Sequence, residues 1–303
     1  MLHSRRRFLT IAAAASVAGL PARAASVTRW QGVALGANAS IHLAHPEADR
    51  IIAKALAEIA RLEQVFSLHR PDSALVKLNA AGHLAAPPFE LLDCLGICAA
   101  VHTASGGAFD ATVQPLWALH ARSYAKGHAP REAEIMATLP LVGWDAVQIS
   151  AAEINFTRPG MALTLNGVAQ GVIADRVADL LAREGLSDIL VNAGEFRALG
   201  GHPNGGSWPI RLDDTGKTPV PLRNRALASS GPLGTVFDEA GRAGHILDPR
   251  TGHPSATKWK LISVTDPRAG LADALSTAAC LLSRTEVDRM MAVFPTAELV
   301  GLS

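Results

Sequence analysis

The segment LADALSTAACLL, residues 271–282, constrains the fold more than any other part of the chain. It is long enough for roughly three turns of helix, and nearly all of its side chains are apolar. A helix that is apolar on every side must be surrounded by other helices or sheets. The chain can provide such a core, because 49% of its 303 residues are hydrophobic, which is enough for one large domain or two lobes.

This helix also carries Asp273 and Thr277, which lie on one face because they are four residues apart. A buried carboxylate without a partner is unfavourable. One suitable partner is a hard cation such as Mg²⁺, which binds carboxylate, hydroxyl and carbonyl oxygens. Alternatively, Asp273 or Asp266 caps the helix and Thr277 bonds back to a backbone carbonyl. Spacing alone favours the capping alternative.

Composition excludes several classes of function. The net charge is +1 and 18% of the residues are charged, so no basic field indicates nucleic acid binding. Only 5% are aromatic, with one tyrosine, which argues against a stacking surface for single strands. Three cysteines on apolar helices, Cys94, Cys98 and Cys280, predict buried thiols rather than a disulfide framework.

The first residues predict export. Residues 1–24 have a basic start, a short apolar run and the cleavage pattern Ala22-Arg23-Ala24. Ser4-Arg5-Arg6-Arg7-Phe8-Leu9 matches the twin-arginine export pattern, and an ordinary Sec signal is the alternative. No cysteine precedes Cys94, so a lipid anchor is not expected. We predict a periplasmic mature domain, residues 25–303, without a transmembrane segment.

Helices and strands alternate without a regular βαβ pattern, and neither a dinucleotide fingerprint nor a phosphate loop is present. The predicted class is therefore α+β, with mixed or antiparallel sheets and packed helices. Helices are predicted over 49–66 (with Asp49 as N-cap), 89–105, 171–185, 271–283 and about 285–293. Predicted strands are two runs within 30–45 separated by a glycine break, then 144–149, 161–165, a single strand within 187–200, 226–231, 245–252 and 261–266, with hairpin and loop over 200–224.

Two glycine-containing segments are candidate binding loops. Gly106-Gly107 lets the backbone approach a ligand, where Phe109 and Asp110 could offer a stacking face and an acceptor; a helix end followed by a turn is the alternative. Gly167 and Gly171 bracket Ala169 just before a helix, where backbone can bind an anion or give a carbonyl to a metal. The alternative is that these glycines only form an ordinary connection between a strand and a helix.

His245 is a candidate catalytic residue. It stands just before Asp248-Pro249-Arg250-Thr251-Gly252, a strong turn signature. A histidine in this place could act as a general base or align a substrate that carries phosphate. A structural histidine that satisfies the turn is equally compatible with the sequence.

Taken together, these segments resemble the ApbE family, the FAD:protein FMN transferases, over nearly all of the chain after the signal. The resemblance is carried by Ala34-Leu35-Gly36, Pro71-Asp72-Ser73, Gly106-Gly107-Ala108-Phe109-Asp110, Gly167-Val168-Ala169-Gln170-Gly171, Val191-Asn192-Ala193-Gly194, Ser230-Gly231, His245-Ile246-Leu247-Asp248-Pro249-Arg250-Thr251-Gly252 and Ala272-Asp273-Ala274-Leu275-Ser276-Thr277.

The resemblance implies a single two-lobed domain and a Mg²⁺-dependent transferase. Such an enzyme moves FMN from FAD onto a threonine or serine hydroxyl of an exported or membrane redox protein and releases AMP. It further implies that Asp273, Thr277 and the Ala169 carbonyl bind the metal and that His245 takes the hydroxyl proton. The implied flavin contacts are Leu35, His69, Ala108, Phe109, Asp110, Asn166, Val172 and Ile246.

Other functions stay open at this point. An FAD pyrophosphatase would use the same metal site with water as the acceptor. A non-catalytic flavin-binding or maturation protein is suggested by Leu35, His69 and Gln170, where the family commonly has methionine, an aromatic residue, and lysine or glutamate. A binding protein for another small molecule would be indifferent to Mg²⁺ and FAD.

Overall fold

The computed structural model describes residues 27–34, 37–212 and 219–303. The predicted signal peptide, residues 1–24, and the predicted flavin contact Leu35 lie outside the described residues. The helices are α1 (Ala48–Phe66), α2 (Ala74–Ala81), α3 (Phe89–Ala104), α4 (Gln114–Tyr124), α5 (Glu132–Thr138), α6 (Ala169–Arg183), α7 (Ala269–Ala279) and α8 (Arg284–Met291). The strands are β1 (Thr28–Ala34), β2 (Ala37–Leu43), β3 (His83–Ala85), β4 (Val147–Ile149), β5 (Glu153–Phe156), β6 (Ile189–Ala193), β7 (Phe196–Leu199), β8 (Trp208–Ile210), β9 (Val220–Leu222), β10 (Ala226–Ser230), β11 (Ile262–Asp266) and β12 (Glu298–Leu302).

Seven strands form the main sheet, in the order β1-β2-β6-β7-β10-β11-β12. Every neighbouring pair in this sheet is antiparallel. A smaller antiparallel sheet has the order β3-β5-β4, and β8 and β9 form a hairpin. The predicted α+β class with antiparallel sheets is therefore confirmed.

Helix α7 lies at the centre of the core, as its apolar sequence requires. All of its residues except Thr277 are buried. The helix packs on β10 and β11 and against α3 and α6. Full burial of a leucine such as Leu275 contributes about 1.5–3 kcal/mol of transfer free energy, so α7 is a main source of stability as well as a carrier of polar groups.

Most predicted helices are confirmed to within two or three residues, but one predicted cap is wrong. Asp49 lies in the first turn of α1, and the N-cap position is Glu47, which makes no side-chain capping bond. Asp49 still favours the helix, because a negative charge near the N-terminus complements the helix dipole.

Four predicted strands differ from the structure. Of the predicted strand 144–149 only Val147–Ile149 is a strand, because Trp144–Ala146 forms a 3-10 turn. The predicted single strand within 187–200 is two strands, β6 and β7, because the chain reverses at Gly194, where φ is +102°. Residues 161–165 form no strand, since the Asn79 amide exchanges two hydrogen bonds with the Leu163 backbone, of 2.8 and 2.7 Å, in place of a partner strand. Residues 245–252 contribute only the isolated bridge Leu247–Pro254, because the chain turns directly after Asp248.

Within residues 27–34, 37–212 and 219–303, no helix is long and apolar enough to cross a membrane.

Candidate active site

Asp273 and Thr277 face the loop that leads into α6. The backbone nitrogen of Gly171 donates a hydrogen bond of 3.3 Å to Oδ2 of Asp273. A Cβ atom added at Gly167 would lie 2.9 Å from the Thr277 hydroxyl oxygen, and one added at Gly171 would lie 2.3 Å from the Ala269 carbonyl oxygen. Only glycine permits these approaches. The structure therefore brings the three predicted metal ligands onto two adjoining segments, with Ala169 as the first residue of α6.

The structure excludes the capping alternative for Asp273. Helix α7 begins at Ala269, with Arg268 at the N-cap position and no side-chain capping bond from it. Asp175 of α6 accepts hydrogen bonds from the first two backbone nitrogens of α7, Ala269 (2.8 Å) and Gly270 (3.0 Å). Asp273 lies in the middle of α7, so its carboxylate does not cap its own helix; its hydrogen bond from the Gly171 nitrogen reaches the first turn of α6 instead.

The other capping assignments are corrected as well. Asp266 accepts a hydrogen bond from the Arg268 backbone nitrogen (2.8 Å) and one from the Thr296 hydroxyl (2.6 Å), before α7 begins. Ser276, rather than Thr277, bonds back to the Asp273 carbonyl oxygen (3.0 Å). The Thr277 hydroxyl instead contacts the Ser230 hydroxyl at 3.2 Å.

The Asp273 carboxylate is poorly compensated. Asp273 is only 3% exposed, and burial raises the pKa of its carboxyl group to about 7. Among the residues that the structure describes, no ion pair reaches it within 4.0 Å. A carboxylate, a hydroxyl and a carbonyl are hard oxygen donors, and this donor set fits Mg²⁺.

The described part of the chain contains no group of three or more His, Cys, Asp and Glu side chains able to hold a metal. The predicted donor set contains only one such side chain, Asp273, because its other donors are the Thr277 hydroxyl and the Ala169 carbonyl.

Two residues that the sequence analysis did not assign border Asp273 and Thr277. The Ser230 hydroxyl, at the end of β10, contacts the Ser276 hydroxyl at 2.7 Å as well as Thr277. Glu195 is 8% exposed and accepts a hydrogen bond of 3.1 Å from the Ser229 backbone nitrogen. Burial, and then the negative charge of Asp273, raise the pKa of Glu195 well above its usual range. The available signal was an acidic residue directly after a glycine within a strand-like segment.

One ring nitrogen of His245 is held by a hydrogen bond, and the other can accept a proton. Its Nδ1 lies 2.9 Å from the Thr235 carbonyl oxygen, which can only accept, so Nδ1 carries the proton and Nε2 has a free lone pair. The His245 backbone nitrogen donates to the same carbonyl (3.0 Å), and Val236 pairs with Gly244, which closes a hairpin just after Ser230. Burial lowers the pKa of His245. The neutral imidazole at pH 7 can accept a proton at Nε2.

The predicted turn after His245 is confirmed. The backbone nitrogen of Gly252 donates to the Asp248 carbonyl oxygen (2.8 Å), and Gly252 has a φ of +78°. The Asp248 carboxylate pairs with the Arg250 guanidinium at 2.7 Å. These bonds hold the turn closed without using the His245 side chain.

The side chains that follow Gly106-Gly107 pack in the core or make hydrogen bonds within the protein. The Phe109 ring is 7% exposed and belongs to the main core, so it does not offer the free stacking face that the sequence suggested. The Asp110 carboxylate accepts hydrogen bonds from the Thr112 backbone nitrogen (2.8 Å), the Thr112 hydroxyl (2.6 Å) and the Trp144 backbone nitrogen (3.2 Å). Flavin contacts of these two residues stay predictions.

The remaining predicted flavin contacts differ in exposure. His69 and Asn166 are exposed, whereas Ala108, Val172 and Ile246 are buried. Val172 packs closely on α7, since a Cβ added at Gly270 would lie 2.7 Å from its Cγ2. Whether each residue contacts flavin also stays a prediction.

Two surface cavities lie near the His245 hairpin and the turn that follows it. One, of about 820 Å³, is lined by residues that include Tyr124, Phe237 and Arg242. The other, of about 480 Å³, is lined by residues that include Asp248 and Trp259. Neither lining includes the Asp273 and Thr277 pair, so the geometry around α7, rather than cavity size, identifies the candidate site.

Solved structures share this fold. The apo flavinyl transferase ApbE of Pseudomonas stutzeri is 24% identical, with a TM-score of 0.79 and coverage of 90% of each chain. An apbe protein of Thermotoga maritima, also 24% identical with a TM-score of 0.79, covers 91% of this chain and 94% of its own. The ApbE-like fold that the resemblance implied is confirmed.

Curated relatives and a family model define the class. The FAD:protein FMN transferase of Treponema pallidum (strain Nichols) is 29% identical over 258 residues, which cover 77% of this chain and 71% of the relative. That of Vibrio cholerae serotype O1 is 29% identical over 258 residues, 78% of this chain and 75% of the relative. The model of the ApbE family matches residues 35–299. The chain belongs to the ApbE family.

Proposed function

We propose that this protein is an FAD:protein FMN transferase, which moves FMN from FAD onto a threonine or serine hydroxyl of a partner protein. The observation that carries the proposal is the placement of Asp273 and Thr277, on the buried helix α7, against residues 167–171 at the start of α6, in a member of the ApbE family. Relatives named FAD:protein FMN transferase support the choice of reaction.

The proposed reaction exchanges the phosphoanhydride bond of FAD for a phosphoester bond to the acceptor. The acceptor hydroxyl oxygen attacks the phosphorus atom on the FMN side of the FAD pyrophosphate. The bond from that phosphorus to the bridging oxygen breaks, and AMP leaves with the oxygen. The hydroxyl proton passes to Nε2 of His245, and no atom is oxidised or reduced.

His245 suits the role of general base because its Nδ1 is held by Thr235, which orients Nε2 and fixes the tautomer. Its lowered pKa keeps the imidazole neutral at pH 7. A histidine that served only the turn would not need a free Nε2.

Asp273, Thr277 and the Ala169 carbonyl would hold Mg²⁺, which when bound would neutralise charge on the pyrophosphate oxygens. The glycines at 167 and 171 let residues 167–171, which lead into α6 and form its first turn, lie close enough to α7 for these donors to share a site.

The partner and the compartment are proposals on the sequence alone. We propose an exported or membrane redox protein as the acceptor, and delivery to the periplasm by the twin-arginine signal in residues 1–24. Cell fractionation tests the route: the Arg5→Lys, Arg6→Lys double variant should stay in the cytoplasm, and its normal export would contradict the twin-arginine assignment.

The direct test mixes the chain from Ala25 onward with FAD, Mg²⁺ and a purified FMN-acceptor domain, and measures the intact mass of the acceptor. A gain of one FMN moiety with equal release of AMP supports the transferase. AMP release without a mass gain would indicate an FAD pyrophosphatase. Bound FAD without either product would indicate a non-catalytic flavin protein.

A further inference from the structure

The turn between β6 and β7 lies beside the candidate metal site. Its Gly194 has a φ of +102°, and its backbone nitrogen donates a hydrogen bond of 3.0 Å to the Asn192 side chain. A Cβ added at Gly194 would lie 2.6 Å from the Gln170 side chain. The turn therefore packs directly against the residue that follows Ala169.

Glu195 connects this turn to the hydroxyl cluster. Phe196, the next residue, pairs with Leu227 in the register between β7 and β10. Glu195 thus lies beside the end of β10, where it accepts the hydrogen bond from the Ser229 backbone nitrogen. The following residue, Ser230, contacts Thr277 through its hydroxyl.

Two carboxylates, Glu195 and Asp273, are consequently buried beside one group of hydroxyls: Glu195 bonds the nitrogen of the residue before Ser230, and Asp273 lies on the helix that carries Ser276 and Thr277. These hydroxyls are neutral, and that of Ser230 contacts those of Ser276 (2.7 Å) and Thr277 (3.2 Å). In the described ranges, neither carboxylate takes part in an ion pair within 4.0 Å. A divalent cation would compensate both negative charges at once.

We propose that Glu195 is a second acidic residue of the metal site, which strengthens cation binding by its charge and positions the Ser230 hydroxyl against Thr277. The inference rests on the proposed function for the identity of the cation as Mg²⁺. Glu195 is a positioning residue, since the structure places it next to the predicted ligands and assigns it no contact with substrate.

The variant Glu195→Gln separates charge from hydrogen bonding. A glutamine oxygen can still accept the bond from the Ser229 nitrogen, so this variant removes the negative charge and keeps the contact. Glu195→Asp is the complementary change, because it keeps the charge and shortens the side chain. Glu153→Gln is the matched control, since Glu153 is an exposed glutamate on the small sheet.

The experiment measures thermal unfolding of each protein without FAD, in EDTA and in increasing MgCl₂. In EDTA, Glu195→Gln should melt close to the wild type, because glutamine keeps the hydrogen bond from the Ser229 nitrogen and has no charge to bury. Its MgCl₂ concentration for half of the stabilisation should rise about 10–100-fold, the range for residues that support metal ligands. Glu195→Asp should stay closer to the wild type, and Glu153→Gln should match it.

A purely structural role predicts the reverse order of the MgCl₂ responses: Glu195→Gln would respond to MgCl₂ like the wild type, and Glu195→Asp would be impaired. That result would overturn the proposal, as would a wild-type protein that MgCl₂ does not stabilise. If Glu195→Gln does not fold by circular dichroism, Glu195→Asp decides: a folded Glu195→Asp that has lost the MgCl₂ response also overturns it.

A second measurement, FMN transfer at saturating MgCl₂ read from the intact mass of the acceptor, distinguishes a failure of this inference from a failure of the proposed function. Transfer by the wild type together with an unchanged MgCl₂ response in Glu195→Gln contradicts only the role of Glu195. No transfer by the wild type, with the expected thermal shifts, contradicts only the transferase.

Discussion

The backbone nitrogen of Gly171 hydrogen-bonds the Asp273 carboxylate at 3.3 Å, across 102 residues of sequence. This contact joins the first turn of α6 to the middle of α7. It also explains why glycine is needed at 171, since any side chain there would meet the Ala269 backbone at 2.3 Å.

We expect Gly171→Ala to lower the free energy of unfolding by about 1–3 kcal/mol, because the added methyl group must push α6 and α7 apart. Urea unfolding measures the change. Gly96→Ala is the matched control, since Gly96 is exposed in α3 with no atom within 4 Å of an added Cβ. That control should be more stable by about 0.8–1 kcal/mol, the helix-propensity difference. Equal stability of the two variants would contradict the tight approach of the helices.

Asp175 should be important for the N-terminus of α7, which it caps from another helix. Asp175→Ala leaves the Ala269 and Gly270 nitrogens without their acceptor and removes the partner of Arg197, 3.1 Å away. Loss of an N-cap costs about 0.5–2 kcal/mol, so a decrease in unfolding free energy of at least this size is expected in urea. Asp175→Asn keeps one acceptor oxygen and should lose less. An unchanged Asp175→Ala would show that α7 does not depend on this cap.

Removal of the Thr277 hydroxyl should weaken the response to Mg²⁺ without unfolding the protein. Thr277→Val keeps the shape of the side chain, whereas Thr277→Ser keeps the hydroxyl that contacts Ser230. We expect Thr277→Val to need more MgCl₂ for half-maximal transfer and Thr277→Ser to stay near the wild type. Identical MgCl₂ dependence of both variants would remove the hydroxyl from the metal site.

His245 should make transfer depend on pH. Burial lowers the pKa of His245 below its usual value of 6.5, so the transfer rate should hold at pH 6.5 and decline only at lower pH. His245→Ala should keep FAD binding and slow transfer by about 10²–10⁴-fold, the usual contribution of a general base. Rates across pH 5–8 test this, and a wild-type rate in His245→Ala would exclude the histidine from proton transfer.

The same shift affects stability. The unfolded state binds a proton at His245 more readily than the folded state does, so stability rises with pH through this window. The contribution of His245 is therefore present above pH 6.5 and declines as the pH falls below 6.5 towards the lowered pKa. Urea unfolding of the wild type and His245→Ala at pH 5 and 7 measures it.

The sequence predicts helices better than it predicts the contacts between them. Helix α1 is recognised by apolar residues at helical spacing, because one of its faces is buried, and α7 by a nearly continuous apolar sequence, because it is buried on all sides. The strand at 161–165 is predicted wrongly because its partner is the side chain of Asn79, 84 residues away. The β6–β7 turn, and with it the position of Glu195, is missed because the strand-like residues on the two sides of Gly194 have the pattern of one uninterrupted strand.

In the candidate site too, the sequence shows the residues but not their partners. Asp273 and Thr277 are visible as polar residues on an apolar helix, but spacing favours a cap. Only the tertiary structure shows that Asp175 occupies the end of α7 and leaves the Asp273 carboxylate for another partner. The fixed tautomer of His245 also depends on a distant carbonyl, that of Thr235.

The most direct test of the central claim is the rate of FMN transfer by Asp273→Asn compared with the wild type across MgCl₂ concentrations, read from the intact mass of the acceptor. Asparagine fits the same space, so circular dichroism should be unchanged. We predict Mg²⁺-dependent transfer by the wild type, loss of transfer in EDTA, and no detectable transfer by Asp273→Asn at any MgCl₂ concentration. Transfer by Asp273→Asn at the wild-type rate, or transfer unaffected by EDTA, would contradict the account.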